Sequence, residues 1–242
     1  MTHSDTPSTT ARRVAALDWP GIAAAIDAHG CAVERALVAP QACAALAASY
    51  DDDALFRSRI VMARHGFGRG EYKYFAYPLP ALVGELRAAM YPPLAEVSNG
   101  LNESMGIAVR YPKTLDEFLD RCHRAGQTKP TPLVLRYGEG DYNCLHQDVY
   151  GEHLFPLQAT VLLSVPRQDF TGGEFVLTEQ RPRMQSRAEV VSLEQGDCVI
   201  FPVRHRPVRG TRGSHRVTMR HGVSRLRSGH RHTLGIIFHD AR

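Results

Sequence analysis

A chain of 242 residues, 43% hydrophobic and 22% charged, is long enough for one domain with a sizeable core or a core plus a small helical lobe. No apolar run approaches the roughly 20 residues a membrane helix needs, which argues against a spanning protein. The formal charge of +4 is modest but unevenly spread: Arg204 to His232 holds nine arginines, five histidines and no acidic residue, a concentration that implies a positive surface, a bound anion, or both.

The opening MTHSDTPSTTARR is polar, rich in Ser and Thr and without an apolar secretory core, so residues 1–13 read as a disordered tail on a cytoplasmic protein. The five cysteines (31, 43, 122, 144 and 198) are scattered and never in C-x-x-C spacing, and read as small buried hydrophobes rather than a disulfide framework. LDWPGIAAAIDAHG predicts a helix with Asp18 as its N-cap, Pro20 in its first turn and Gly30 at its end. CAVERALV follows as a short strand and PQACAALAASY as a second helix, and DDD at 51–53 then breaks the pattern. Two further helical stretches lie in PALVGELRAAMYPPLAEVSNGLNESMG and TLDEFLDRCHRAG.

After Pro132 the period becomes that of short strands: LVLRY, FPLQATVLLSV, GEFVLTE, AEVVSL, DCVIFPV, RVTMRHGV and HTLGIIFH, separated by GEGD, TGGE, EQGD and RSGH. Such strands without intervening helices predict a double-sheet jelly roll. The expected fold is therefore α+β, one domain over 14–242, with a helical and lid part over 14–130 and a jelly-roll core over 131–242.

The segment YNCLHQDVYGE sets His146 and Asp148 one residue apart. On an extended strand both point to one face, so an imidazole and a carboxylate can meet one cation. H-x-D alone is a weak signal, and a two-histidine, one-carboxylate site of the non-haem Fe(II) type needs another histidine. His205, His215, His221, His230, His232 and His239 are all available in the last strands. Of these, His221 is followed ten residues later by Arg231, after the Ser228-Gly229 turn, with Thr233 on the same face of that strand.

This combination resembles the Fe(II)/2-oxoglutarate-dependent dioxygenases, in particular their prolyl-hydroxylase-like branch. TGGEFVL and LEQGDCVIF also resemble that branch, and the likeness runs from about Leu133 to His239. The resemblance implies a double-stranded β-helix, an enzyme that holds Fe(II) on His146, Asp148 and His221, and 2-oxoglutarate bound through its far carboxylate to Arg231. Thr233 would share that pocket, and Tyr137 stands where a tyrosine helps bind the cosubstrate in AlkB-type dealkylases. O2 is the oxidant, succinate and carbon dioxide are products, and ascorbate serves to keep iron reduced. The roles of His230 and His232 stay open.

The substrate must be argued from the surroundings. FRSRIVMARHGFGRGEYKYFAYPLP interleaves cations, among them Arg64 and Arg69, with aromatics, among them Tyr72 and Tyr74, and its glycines suit a mobile lid. Cations for phosphates and aromatic faces for an unstacked base are what a single-stranded nucleic-acid site requires. Arg204, Arg206, Arg209, Arg212 and Arg216 add to that reading. LHQD resembles the AlkB-type iron motif, whereas Ile237 stands where AlkB-type enzymes carry a second arginine. The expectation is oxidative dealkylation of alkylated bases in single-stranded DNA or RNA. The alternatives are a protein prolyl or other side-chain hydroxylase acting on a peptide, and a non-catalytic iron and 2-oxoglutarate sensor. Oligomeric state is not legible.

Overall fold

In the computed structural model, which describes residues 9–181, 183–210 and 213–242, a helical layer covers one face of a jelly roll. Its helices are α1 (Thr9–Ala15), α2 (Trp19–His29), α3 (Pro40–Ala48), α4 (Ala81–Ser104) and α5 (Leu115–Arg124). The strands of the first half are β1 (Ala32–Glu34), β2 (Phe56–Val61), β3 (Gly68–Arg69) and β4 (Glu71–Phe75). Those of the second half begin with β5 (Leu133–Tyr137), β6 (Tyr142–His146), β7 (Leu157–Leu162), β8 (Phe170–Gly172), β9 (Phe175–Gln180) and β10 (Arg187–Val191). They end with β11 (Cys198–Pro202), β12 (His205–Gly210), β13 (Gly213–Val223), β14 (Leu226–Gly229) and β15 (Arg231–Ile236).

Local chemistry sets the helix boundaries. Asp18 accepts a hydrogen bond from the Gly21 amide at 3.0 Å and starts α2, while Thr114 and Glu117 close a reciprocal capping box on α5. Within the disordered tail expected over 1–13, residues 9–13 are instead helical. Thr9 onward is helical because Val14 is buried in the helical core, and residues 1–8 lie outside the described residues. Among the described residues no helix is long and apolar enough to cross a membrane.

The major sheet runs β1-β11-β7-β15-β5-β4-β2; the minor one runs β10-β9-β13-β6-β3, with β12 paired to β13. Successive residues of a strand face opposite ways, and this sorts the core into two. On β11, Cys198 and Ile200 join Leu86, Met90, Tyr91 and Leu94 of α4, whereas Val199 and Phe201 join Phe175 and Leu177 between the sheets. Because β11 is buried on both faces it reads as a continuous apolar run rather than an alternating one.

The segment predicted as a mobile lid is instead a strap stitched to both sheets. β2 and β4 extend the major sheet beyond β5, while β3 pairs with β6 of the minor sheet and the Cys144 amide donates to Phe67 O at 2.9 Å. Gly70 sits in the strap at φ +106°, where an added Cβ would lie 2.9 Å from the Tyr137 ring. It is there for close approach rather than for mobility.

Candidate metal centre and its cavity

The two histidines of the site are brought together by strand register. In the β6/β13 pair His146 lies directly across from His221, and their ring centroids are 4.2 Å apart. Asp148 is not on the strand, as the sequence suggested. β6 ends at His146, and Asp148 lies in the loop that follows, turned back so that Oδ1 is 3.5 Å from His146 Nε2 and Oδ2 is 3.4 Å from His221 Nε2. Gln147 fixes this turn by donating to Met219 O at 2.8 Å and Arg204 O at 3.2 Å. Ligand atoms of the three residues all lie within 4.8 Å of one another.

The donor set suits a divalent cation. His146 Nδ1 lies 2.8 Å from Cys144 O, which orients the ring so that Nε2 is turned toward Asp148. Burial opposes the charge on Asp148, but hydrogen bonding with His146 and His221 overrides it and holds the carboxyl well below its usual range. Burial lowers His221 although its hydrogen bond with Asp148 acts to raise it, whereas for His146 the hydrogen bond and charge of Asp148 outweigh burial and raise it. An ionised carboxylate and neutral imidazoles are the forms that bind metal.

The cluster opens into a cavity of about 430 Å³ whose opposite wall is the major sheet. Period 2 lays its rows out: Tyr72, Leu135 and Thr233 face one another across β4, β5 and β15, and Tyr74, Leu133 and Gly235 form the next row. Arg231 pairs with Tyr137 at one end of this wall, and Ile237 lines the cavity beyond Gly235.

Arg231 is 2% exposed, yet its Nε and Nη1 are buried without a hydrogen-bond partner among the described residues. Burial pulls this guanidinium down to about 10 even though Tyr137 and Glu174 act to raise it. Room for the side chain comes from Gly173, at φ +65°, where a Cβ would lie 3.1 Å from Arg231 Cδ. Asn143 Nδ2 donates to the Tyr137 hydroxyl at 3.4 Å, fixing that ring beneath the guanidinium. Burying an unpaired cation is costly, so the site fits a ligand carboxylate at this end and a metal at the other.

Tyr72 and Tyr74, expected as substrate-binding residues, both line the cavity. Arg64 and Arg69 do not: they are exposed and absent from its lining, and Arg69 Nε lies 3.8 Å from Asp141. Other cations of the segment are structural. Lys73 is 5% exposed and pairs with Asp53 at 2.6 Å, Arg59 pairs with Glu71, and Arg57 donates to Pro130 O at 2.8 Å while stacking on Tyr74. The arginine run divides in the same way. Arg206 is 2% exposed and forks onto the Glu179 carboxylate, so it reads no ligand, and Arg212 lies outside the described residues. Arg204, Arg209 and Arg216 are exposed.

Phe67, another aromatic of the strap, lines the cavity too, as do Tyr150 and Asn143, which the sequence reading did not single out. The Tyr150 ring packs 5.2 Å from His239, and burial first, then Tyr74 and Asp148, pushes its phenol well up. Tyr150 stands two residues beyond Asp148, as Asp148 does beyond His146, and extending that alternation by one position would have found it. His232 is half-buried, edge-on to Tyr50 and outside the cavity lining.

A family model described as "oxygenase, catalysing oxidative methylation of damaged DNA" matches residues 70–241. Two curated sequences from strains of Mycobacterium tuberculosis, both named as uncharacterized proteins, are 48% identical over 167 residues, covering 69% of this chain and 72% of theirs. Among solved structures, a Pseudomonas putida prolyl-4-hydroxylase has TM-score 0.53 at 15% identity, covering 93% of this chain and 99% of its own. A Burkholderia pseudomallei oxidoreductase of the 2OG-Fe(II) oxygenase family has TM-score 0.54 at 14% identity, covering 93% and 94%. At these identities the structural likeness concerns the jelly-roll fold.

Proposed function

Because the chain belongs to the 2-oxoglutarate- and iron(II)-dependent oxygenases, in the family described as acting on damaged DNA, we propose that it removes N-alkyl groups oxidatively from bases in single-stranded DNA or RNA. The observation that carries the reading is the cavity itself. A His146/Asp148/His221 cluster and a buried, unpartnered Arg231 share it with Tyr72, Tyr74, Tyr150 and Phe67.

His146, Asp148 and His221 would hold the iron, and Arg231 would take the far carboxylate of 2-oxoglutarate in a two-pronged hydrogen bond, with Thr233 and Tyr137 beside it. Iron with 2-oxoglutarate and O2 supplies the oxidant for an unactivated C–H bond. The chain supplies placement. Burial pushes the phenols of Tyr72 and Tyr74 up, so they stay neutral beside Asp148 and present ring faces and hydroxyls. Such a chamber suits a base taken out of its stack, with its alkyl carbon facing the metal cluster. Oxidation of an N-methyl carbon gives an N-hydroxymethyl group, whose C–N bond breaks to release formaldehyde and the free base. One O2 and one 2-oxoglutarate are consumed, and one succinate and one carbon dioxide form.

Arg64 and Arg69, exposed on the strap outside the cavity lining, would meet phosphates. The test is succinate and formaldehyde production by the iron-loaded protein with single strands bearing 1-methyladenine or 3-methylcytosine, against unmodified strands and proline-rich peptides. The expected result is formaldehyde and succinate in equal amounts with the methylated strands alone. Succinate stimulated only by peptide would replace this reading with side-chain hydroxylation, the direction in which Ile237 points.

A further inference from the structure

Behind the loop that carries Asp148 lies a second concavity, of about 350 Å³, which the chemistry above does not use. The two cavities share the loop as a partition: Asp148 and Tyr150 face the metal cluster, whereas Glu152, His153 and Leu154 line the other side. Arg110, Arg121, Arg204 and Arg216 converge there beside Tyr111 and His205. The one carboxylate in the lining, Glu152, is largely exposed and lies 3.8 Å from Arg242.

These cations are not spent on internal pairing. Neither the Arg204 nor the Arg216 guanidinium has an ion-pair or hydrogen-bond partner among the described residues. Arg121 donates from Nη1 to Arg110 O at 2.9 Å, and Arg110 donates from Nη1 to Val109 O at 3.0 Å. Each is thereby held in place by one nitrogen with the others free. The wall is also rigid. Asn99 and Asn102 of α4 pin the Val109–Tyr111 backbone, with Asn99 Oδ1 accepting from the Tyr111 amide at 2.8 Å, and the Tyr111 hydroxyl donates to Leu154 O at 2.9 Å. His205 Nδ1 is buried without a hydrogen-bond partner among the described residues.

We infer that this groove binds the phosphodiester backbone of a single-stranded nucleic acid, next to the nucleotide whose base enters the cavity. The inference rests on the proposed base-dealkylating reading and gives it a second, fixed anchoring surface on the far side of the Asp148 loop. Four arginines on one rigid wall match the charge of a phosphodiester strand, and the wall is braced from behind by Tyr111, whose ring packs against Phe118 and Phe155. The Gln147 bonds to Arg204 O and Met219 O tie this wall to the metal-site loop, so a strand seated in the groove is held in register with the cavity.

The test is the affinity of the full-length protein for an unmodified single-stranded oligonucleotide over a range of salt, for wild type, Arg204→Ala/Arg216→Ala and Arg204→Lys/Arg216→Lys. Each phosphate neutralised contributes about 0.7 to the slope of log K against log salt for a single strand. The alanine pair is expected to flatten the slope by about 1.4 and weaken binding roughly tenfold or more at low salt. The lysine pair retains the slope, and thermal unfolding is unchanged because both side chains are exposed. Wild-type binding with the same slope and affinity in the alanine pair would overturn the groove while leaving base dealkylation standing. Failure of the wild type to bind oligonucleotide, with arginine-dependent binding of an acidic peptide instead, would overturn the groove's ligand and, with peptide-stimulated succinate, the dealkylase reading as well.

Discussion

Two buried arginines show how differently one residue type is used. Arg87, on α4, is 1% exposed and spends its guanidinium on Ile237 O, Phe238 O, the Tyr77 hydroxyl and the Asp240 carboxylate at 2.8 Å. Arg231 is as deeply buried and leaves Nε and Nη1 unpaired. The first stabilises the fold by locking the chain end to the helical layer; the second is the one proposed above to take a ligand carboxylate. Arg87→Ala leaves Asp240 to Tyr77 and His123 alone, so it should cost about 3 kcal/mol and lower Tm by roughly 10 °C. Calorimetric unfolding of the purified variant measures this, and a Tm within a degree or two of wild type would mean the Arg87 network contributes nothing to stability.

At the scale of elements, what was legible in the sequence followed from local rules. α2, α3 and α5 are bounded by the residues that predicted them, and the strands from LVLRY to HTLGIIFH appear where the apolar period changes. The His146/Asp148/His221 and Arg231 spacing was readable because strand register converts sequence intervals into cross-strand neighbours. The strap was misread because its charges are satisfied by distant partners: Glu71 serves Arg59 and Arg136, and Asp53 serves Lys73. Such pairs look like a solvated basic loop until the fold closes. Arg206 hid in the arginine run for the same reason, since its carboxylate partner is 27 positions away on β9. The groove behind the Asp148 loop joins α4, α5 and the β12/β13 hairpin, and no local pattern announces it.

Over the whole molecule, buried neutral histidines link stability to pH. Burial, aided by the charge of Arg87, pulls His239 down to about 4 from an ordinary value near 6.5. Burial, with Arg136 and His230, does the same to His232. A group depressed on folding binds more protons when unfolded. Its stability contribution is therefore complete above pH 6.5 and is lost as pH falls toward 4. His146, raised beside Asp148, runs the opposite way over a narrower interval. The protein should lose about 2 to 3 kcal/mol through His239 between pH 7 and 4.5. His239→Asn keeps an acceptor for the Phe155 amide and should flatten the pH dependence of urea unfolding; a parallel profile would show that His239 does not titrate on unfolding.

In the proposed function one cavity would hold a divalent metal at His146/Asp148/His221 and a dicarboxylate at Arg231, all of which line it. Calorimetric titration of 2-oxoglutarate into the Mn(II)-loaded protein tests it most directly. The account predicts one site per chain, weakened roughly 30- to 1,000-fold in Arg231→Ala by loss of a buried charged pair of about 2 to 4 kcal/mol, and abolished in Asp148→Ala with loss of the metal. Unchanged 2-oxoglutarate affinity in both variants would contradict it.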